Sequence, residues 1–177
     1  MNPVEIVEAD LNREEHQNAV LELINAYAED PMGNGEPLSD EVRRSLIPGL
    51  RQHPTTLAFL ACEKGKFIGI AMCFVGFSTF AARPLINIHD LAVLPGHRGQ
   101  GTGRRLLEAV ERKARKMGCC KLTLEVQENN HRARQVYQRA GFVQAKYVDA
   151  AGGGLFLSKP LYIQTKSERS KPHRSEW

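Results

Sequence analysis

The stretch from Leu85 to Met117 constrains this chain most. A segment that reads as a strand, Leu85 to Leu94, stops at Pro95-Gly96, and Arg98-Gly99-Gln100-Gly101-Thr102-Gly103-Arg104 follows at once. From about Gly101 to Met117 the apolar residues fall at helical spacing. Leu106, Val110, Ala114 and Met117 form one stripe with Leu107 beside it, while Arg104, Arg105, Glu108, Glu111, Arg112, Lys113 and Arg115 lie mostly outside it. Gly118 is suited to end such a helix, because glycine takes a left-handed backbone without steric cost. Lys121 to Gln127 reads as the next strand. A strand that enters a helix through glycines and is followed by another strand belongs in a sheet covered by helices.

The flanks fit a mixed sheet of that kind. Val4 to Ala9 reads as a first strand, and within residues 13–27 His16, Val20, Leu23, Ile24 and Tyr27 share one helical face. Pro31, Gly33, Gly35 and Pro37 mark a loop. Ser39 is an N-cap for a helix carrying Val42, Leu46 and Leu50, which Pro48-Gly49 is expected to end or bend early. Thr55 to Cys62 and Phe67 to Phe77 form a hairpin pattern around Glu63-Lys64-Gly65-Lys66. Ala133, Val136, Tyr137 and Ala140 trace a short helix stopped by Gly141, and Phe142 to Asp149 with Leu155 to Leu161 read as a closing hairpin. The expectation is one domain over residues 1–163 and a basic, disordered tail over 164–177.

Several classes drop out on composition. The 4 cysteines among 177 residues are too few for a disulfide scaffold, and Cys119 and Cys120 are adjacent, so a reducing compartment is expected. The longest apolar run, Phe67 to Phe77, falls short of the roughly 20 residues that span a bilayer. The start, Met1-Asn2-Pro3-Val4-Glu5, has the pattern of no secretory signal, which makes a cytoplasmic setting the expectation. Charge is divided unevenly: residues 1–60 hold 11 acidic and 4 basic side chains, and the rest hold 20 basic and 9 acidic. Such a split fits nucleic-acid contact, or an anionic ligand on one half and a cationic one on the other. The basic residues follow helix exteriors and lack an aromatic-rich platform, which argues against nucleic acid.

The glycine segment has the chemistry of a diphosphate site. Glycines let main-chain amides approach a ligand, and a helix start adds unpaired N–H groups and the positive end of the dipole. A P-loop is excluded because Gly103 is followed by Arg104-Arg105, and a dinucleotide fingerprint started at Gly99 puts Arg104 where its third glycine belongs. Alone, the segment is equally well a flexible turn. With its flanks, it resembles the GNAT superfamily of N-acetyltransferases. Arg98, Gly101 and Gly103 meet that family's Arg/Gln-x-x-Gly-x-Gly/Ala loop, after a strand ending Leu91-Ala92-Val93-Leu94-Pro95. Asn130, Ala133, Tyr137, Gly141 and Phe142 meet its second signature, Asn-x-x-Ala-x-x-x-Tyr with Gly-Phe shortly after.

The resemblance implies an α/β (α+β) fold with a mixed, mostly antiparallel central sheet, a splayed pair of parallel strands and flanking helices. It implies acetyl-CoA as co-substrate and no metal. Backbone groups at Leu91, Ala92 and Val93 are expected along the pantetheine arm, with Asn130 facing it from the other side. Amides from Arg98 through Gly99, Gln100, Gly101, Thr102 and Gly103 to Arg104 are expected around the diphosphate, with Arg98 and Arg104 adding charge. The implied reaction is direct attack of a small primary amine, cationic in one reading, in a ternary complex. A peptide N-terminus or lysine as acceptor, and a non-catalytic acyl-CoA-binding module, are the alternatives.

Amine acetylation needs a neutral amine, although an alkylammonium has a pKa of about 10. It also needs a donor for the charged carbonyl oxygen, such as the Val93 N–H, and an acid for the leaving thiolate. By the family signature Tyr137 is that acid; by position alone it is a core tyrosine on the face of Ala133, Val136 and Ala140. Glu125 lies twelve residues before Tyr137, a spacing similar to the protein N-terminal acetyltransferase branch, and is the candidate base. It also reads as a plain solvent-facing strand carboxylate. His89, Asp90 and a water relay compete with it, while Asn87 stands near where other branches carry an acidic base. Acceptor specificity in the family comes largely from the first two helices, and here that segment contributes Glu29, Asp30, Glu36, Asp40 and Glu41, either to attract a cation or simply to cap helices. A homodimer through the last, edge strand is a further candidate partner arrangement.

Overall fold

Two runs of alternating apolar residues joined by a tight turn form the centre of the sheet. They are strands β2 (Thr56–Glu63) and β3 (Lys66–Ser78), joined through Lys64 and Gly65, both at positive φ (51° and 77°) as a two-residue hairpin turn of matching twist demands. The computed structural model describes residues 4–144 and Leu157. With β1 (Glu5–Glu8), β4 (Arg83–Val93) and β5 (Leu122–Leu124) the strands make one five-stranded sheet in chain order. The first three pairings are antiparallel and β4–β5 is parallel. The described strands thus make the mixed, mostly antiparallel sheet expected of the sequence. Residues up to Phe142 form one compact unit.

Alternation along β2 divides the core in two. Leu57, Phe59 and Ala61 join Ile86, Ile88, Leu106, Leu107 and Val110 in one cluster; Ala58 and Leu60 join Val20, Leu23 and Leu50 in the other. The first cluster lies under α3 (Thr102–Lys116) and the second under α1 (Glu14–Glu29) and α2 (Asp40–Gln52), so helices cover both faces. Leu106 and Val110 are fully buried, as the helical stripe requires, and Gly118 (φ 69°) follows α3 in the left-handed conformation. Ser39 caps α2, its Oγ accepting from the Val42 N–H at 3.3 Å. Pro48 does not end that helix, which runs on to Gln52. The half-buried Leu46 and Ile47 and the buried Leu50 hold it on the second core, and its outer face is open to solvent, where a carbonyl without an intrahelical partner can meet water.

β4 carries an irregularity that pattern reading did not anticipate. Met72 of β3 pairs with Asp90 and the next residue, Cys73, with Ile88, which leaves His89 as the extra residue of a bulge. The side-chain parity flips there. Ile86 and Ile88 share the α3-side core not with Asp90 but with Leu91 and Val93. The parallel ladder ends at the Ile88–Leu124 pair, immediately before the bulge, so β5 spans Leu122–Leu124 rather than Lys121 to Gln127.

α4 (His131–Arg139) closes the described part of the fold. The expected closing hairpin, apart from Phe142, Val143, Gln144 and Leu157, lies outside the described residues, as do the tail from residue 164 and the edge strand considered for pairing between subunits. No described helix is long and apolar enough to cross a membrane.

Gly69 sits opposite Val93, where a Cβ would lie 2.9 Å from the Ala92 carbonyl oxygen. A main-chain oxygen cannot swing aside, so Gly69→Ala is expected to cost about 1–3 kcal/mol in urea unfolding by forcing β3 and β4 apart.

Candidate active site

Beyond the bulge, one edge of β4 has no partner strand among the described residues. The Leu94 N–H donates to the Ile68 carbonyl at 2.9 Å, which makes 94 and 68 a hydrogen-bonded pair. Antiparallel ladders alternate bonded and non-bonded pairs. Ala92 therefore bonds to Ile70, while Leu91 and Val93 turn their N–H and C=O groups away from β3. On that side β5 has already ended at Leu124. Of the three β4 residues expected to meet a ligand through the main chain, Leu91 and Val93 present polar groups to the gap and Ala92 does not.

Past Val93 the chain makes a single 3₁₀ turn, Pro95–His97, and enters α3 through two glycines at positive φ, Gly99 (82°) and Gly101 (83°). Gly101 is the N-cap and has no side chain to offer, and the first turn carries no acidic residue. The first main-chain bond in the helix is from the Arg105 N–H to the Gly101 carbonyl at 3.1 Å, which leaves the N–H groups of Thr102, Gly103 and Arg104 ahead of it. The other helices are treated differently: α2 has Ser39, α4 has Asn130 Oδ1 accepting from the Ala133 N–H at 3.1 Å, and α1 begins with Glu14 and Glu15. An uncapped, acid-free N-terminus built on glycines is an anion site in waiting.

The two arginines of this segment are occupied in other ways than the sequence suggests. Arg98 Nε donates to the Val93 carbonyl at 2.6 Å, and its other arm meets Asp30 Oδ2 at 2.7 Å. Its charge is thus matched inside the protein by a carboxylate whose side chain is only 13% exposed. Arg104 lies outside, paired with Glu108 at 2.9 Å across one turn of helix. Asn130 caps α4, and Asn87 Nδ2 donates to Thr123 Oγ1 at 3.1 Å across the parallel pair.

A set of titratable groups gathers near the end of α1, and its first member, Tyr27, is in the sequence only one residue of a helical face. Tyr137 of α4 packs on the α3-side core, its ring 5.9 Å from Phe142. Burial pushes its phenol up to about 12, with Tyr27 adding to the shift. Tyr27 is itself raised, first by burial and then by Asp90 and Asp30. Burial raises Asp90, half-buried just past the bulge, against the opposing charge of His89. The Met32 N–H and the Arg98 guanidinium hold Asp30 low. No periodic signal marks Tyr27, because it completes an ordinary helical stripe; only the meeting of α1 with β4 reveals it. His89 is exposed, its ring edge-on to Phe74 at 5.6 Å, and Glu125 is exposed one residue past β5.

The acidic stretch at the end of α1 is largely spoken for. Glu29 accepts from Asn25 at 2.7 Å, Asp30 holds Arg98, and Asp40 and Glu41 occupy the first turn of α2. Among the described residues no cluster of side chains could hold a metal ion. A cavity of about 730 Å³ between α2 and the turn after β1, lined by Asp10, Ile47, Arg51, His53 and Thr56 among others, contains none of the expected site residues.

Comparison with known proteins gives a consistent picture. The model of the acetyltransferase (GNAT) family matches residues 19–142. The uncharacterized N-acetyltransferase YhfO of Bacillus subtilis (strain 168) is 33% identical over 93 residues, 52% of this chain and 62% of that protein. The N-alpha-acetyltransferase MAK3 of Arabidopsis thaliana is 34% identical over 120 residues, 63% of this chain and 62% of that protein. The matches thus span under two thirds of either relative. A crystal structure of a probable acetyltransferase superposes with a TM-score of 0.72 at 20% identity, covering 92% of this chain and 99% of that one. The aminoglycoside N-acetyltransferase AAC(6')-Iy in complex with CoA superposes with a TM-score of 0.67 at 20% identity, covering 90% and 96%. At these identities the structural likeness is one of fold.

The two glycines around the helix start should respond in opposite ways to a methyl group. Neither position has a neighbour within 4 Å of an added Cβ, but Gly101 has positive φ and Gly103 lies in the helix. Gly101→Ala is expected to cost about 1–2 kcal/mol through the left-handed backbone. Gly103→Ala is expected to gain about 0.5–1 kcal/mol through helix propensity, both read from denaturant midpoints.

Proposed function

The chain belongs to the acetyltransferase (GNAT) family, and from that membership we propose that it moves an acetyl group from acetyl-CoA to a primary amine, by direct attack in a ternary complex. The observation that carries this reading is the alignment of two sets of main-chain donors with no partner among the described residues: Leu91 and Val93 along the gap, and the uncapped start of α3 just beyond it. The residues fit the co-substrate. The glycine turn from Gly99 to Gly103 with Gln100, Thr102 and the amide of Arg104 suits a diphosphate, and no acidic side chain of the first turn opposes it. Leu91 and Val93 suit the amides of a pantetheine arm, with Asn130 on the far side of the gap. In this reading Arg98 shapes the loop rather than supplying charge to the ligand.

Acetyl-CoA supplies the activated acyl group; the protein supplies the rest. The Val93 N–H is the donor for the carbonyl oxygen as it gains charge. Tyr137 is the acid for the departing sulfur, and its burial keeps the phenol protonated well past neutral pH. Glu125 takes the proton of the amine, directly or through water. Asp90 is the second reading for that step, favoured by burial, which moves its carboxyl toward the range where a base works best. With Glu29, Asp30, Asp40 and Glu41 engaged within the protein, the half-buried Asp90 is the carboxylate that favours a small cationic amine over a neutral one. The likeness to an N-alpha-acetyltransferase keeps a peptide N-terminus as the alternative acceptor.

Calorimetry with CoA tests the binding half. Wild type is expected to give saturable heat, while Gly103→Glu, with open space for its side chain, stays folded and loses about 100-fold or more in affinity through like-charge repulsion at the diphosphate. A Gly103→Glu protein that binds CoA as well as wild type would remove the α3 start from the site.

Thiol release with a panel of cationic and neutral amines tests the chemistry. Tyr137→Phe is expected to lower kcat about 100-fold with little change in CoA affinity. Because the phenol titrates at about 12, it stays protonated as pH rises through 9, so any alkaline fall of rate below that belongs to another group and persists in the variant. The base is whichever of Glu125→Gln and Asp90→Asn loses kcat. A preference for cationic amines that weakens with salt is expected; a rate indifferent to amine charge and salt would discard the cationic acceptor.

A further inference from the structure

The loop after α1 is folded as one body onto the end of that helix. Asn34 and Glu36 donate their N–H groups to the Ala28 carbonyl at 3.0 and 3.2 Å, and Gly33 and Gly35 donate theirs to the Asp30 carbonyl at 2.7 and 3.3 Å. The Leu38 N–H reaches Asn25 Oδ1 at 3.0 Å. Gly33 is obligatory here, since a Cβ would collide with the Tyr27 carbonyl. The pivot is Asp30, one carboxylate oxygen accepting the Met32 N–H at 2.8 Å and the other holding Arg98 at 2.7 Å. Arg98 grips the Val93 carbonyl at 2.6 Å with its Nε. On the other side of the gap Gln127 Nε2 makes a long contact, 3.4 Å, with the Met32 carbonyl. The loop is therefore tied to the segments that follow both β4 and β5, the two strands that part.

We propose that Asp30 is a positioning residue that couples the two substrate sites: through Arg98 it joins the α1–α2 loop to the glycine turn, so that CoA on the turn orders the loop against which the amine acceptor docks. This rests on the functional reading above, which supplies CoA as the occupant of the turn. The route is short and continuous. It runs from the Gly99–Gly103 backbone to the adjoining Arg98, across a charge-assisted hydrogen bond to Asp30, and from Asp30 into Met32 and the hydrogen-bonded loop. A carboxylate is required because it accepts on both oxygens at once. Asparagine keeps an acceptor for Met32 but offers an N–H to the guanidinium, which cannot accept it.

Amide hydrogen exchange of Met32–Glu36, followed with and without CoA and alongside calorimetry, tests the coupling. In wild type, CoA is expected to slow these amides about tenfold. In Asp30→Asn, CoA is expected to bind within about threefold of the wild-type affinity, because the donors at the start of α3 are intact, yet to leave the loop amides unchanged. Asp30→Glu, which can reach Arg98 again, should recover part of the protection. Arg98→Gln, able to donate to Val93 but not to bridge charge to Asp30, serves as the second variant should Asp30→Asn fail to fold, with the same expected loss of protection. Loop protection by CoA that survives in the variant, or wild type that binds CoA with no change at Met32–Glu36, overturns the proposal. Wild type that gives no heat with CoA overturns the functional reading itself, and the coupling with it.

Discussion

The separation of β4 from β5 is the constraint on which the rest of the structure depends. A sheet normally satisfies every main-chain donor and acceptor by pairing, and an unpaired edge inside a fold is costly. Here the bulge at His89 bends β4 just as the parallel ladder reaches its last pair, Ile88 with Leu124. Below that point Asn87 and Thr123 hold the strands together by side chains as well as backbone. Above it, Leu91 and Val93 keep their place in the sheet opposite Ala71 and Gly69, while their N–H groups turn away from β3 and the Val93 carbonyl is taken by Arg98. The bulge thus turns the N–H groups of Leu91 and Val93 to the side from which β5 has withdrawn, without unfolding the strand that carries them.

Charge is organised around the same gap. Three of the four described helices start with a polar side-chain cap or acidic residues; α3 starts with glycine and has neither. Its positive end carries no side-chain cap and no first-turn carboxylate. The nearby guanidinium of Arg98 is instead neutralised by Asp30, a partly buried pair with side chains 31% and 13% exposed, where geometry and additional hydrogen bonds offset desolvation. Most remaining bridges are surface pairs such as Arg115–Glu111, which contribute little to stability. Arg98 with Asp30 differs because each group has a second, main-chain partner that fixes where it lies.

The two carboxylates proposed for the proton-accepting step differ in environment. Glu125 is exposed just past β5, whereas Asp90 sits half-buried beyond the bulge, near Tyr27 and His89. Twelve residues of sequence separate Glu125 from Tyr137, which favours it by pattern; burial favours Asp90 by chemistry. Asp90 acts on Tyr27, and Tyr27 on Tyr137, and both tyrosines are raised first by loss of water.

Local chemistry determined much of this protein before any tertiary contact was considered. The hairpin at Lys64-Gly65, the Ser39 cap, the buried stripe of α3 and its glycine entry and exit are all decided within a few residues, by backbone freedom, side-chain capping and period, and they are legible in the sequence for that reason. The length of β5, the survival of α2 past Pro48, the bulge at His89 and the pairing of Arg98 with Asp30 were decided only in three dimensions. Each depends on which strand or helix comes to lie alongside. The apolar positions shift from Ile86 and Ile88 to Leu91 and Val93 across His89-Asp90, but only the pairing with β3 makes that shift a bulge, and nothing local announces that residues 30 and 98 will share a hydrogen bond. Period and propensity act between neighbours along the chain, whereas parity at a bulge and partners for a buried charge are set by packing between segments far apart in it.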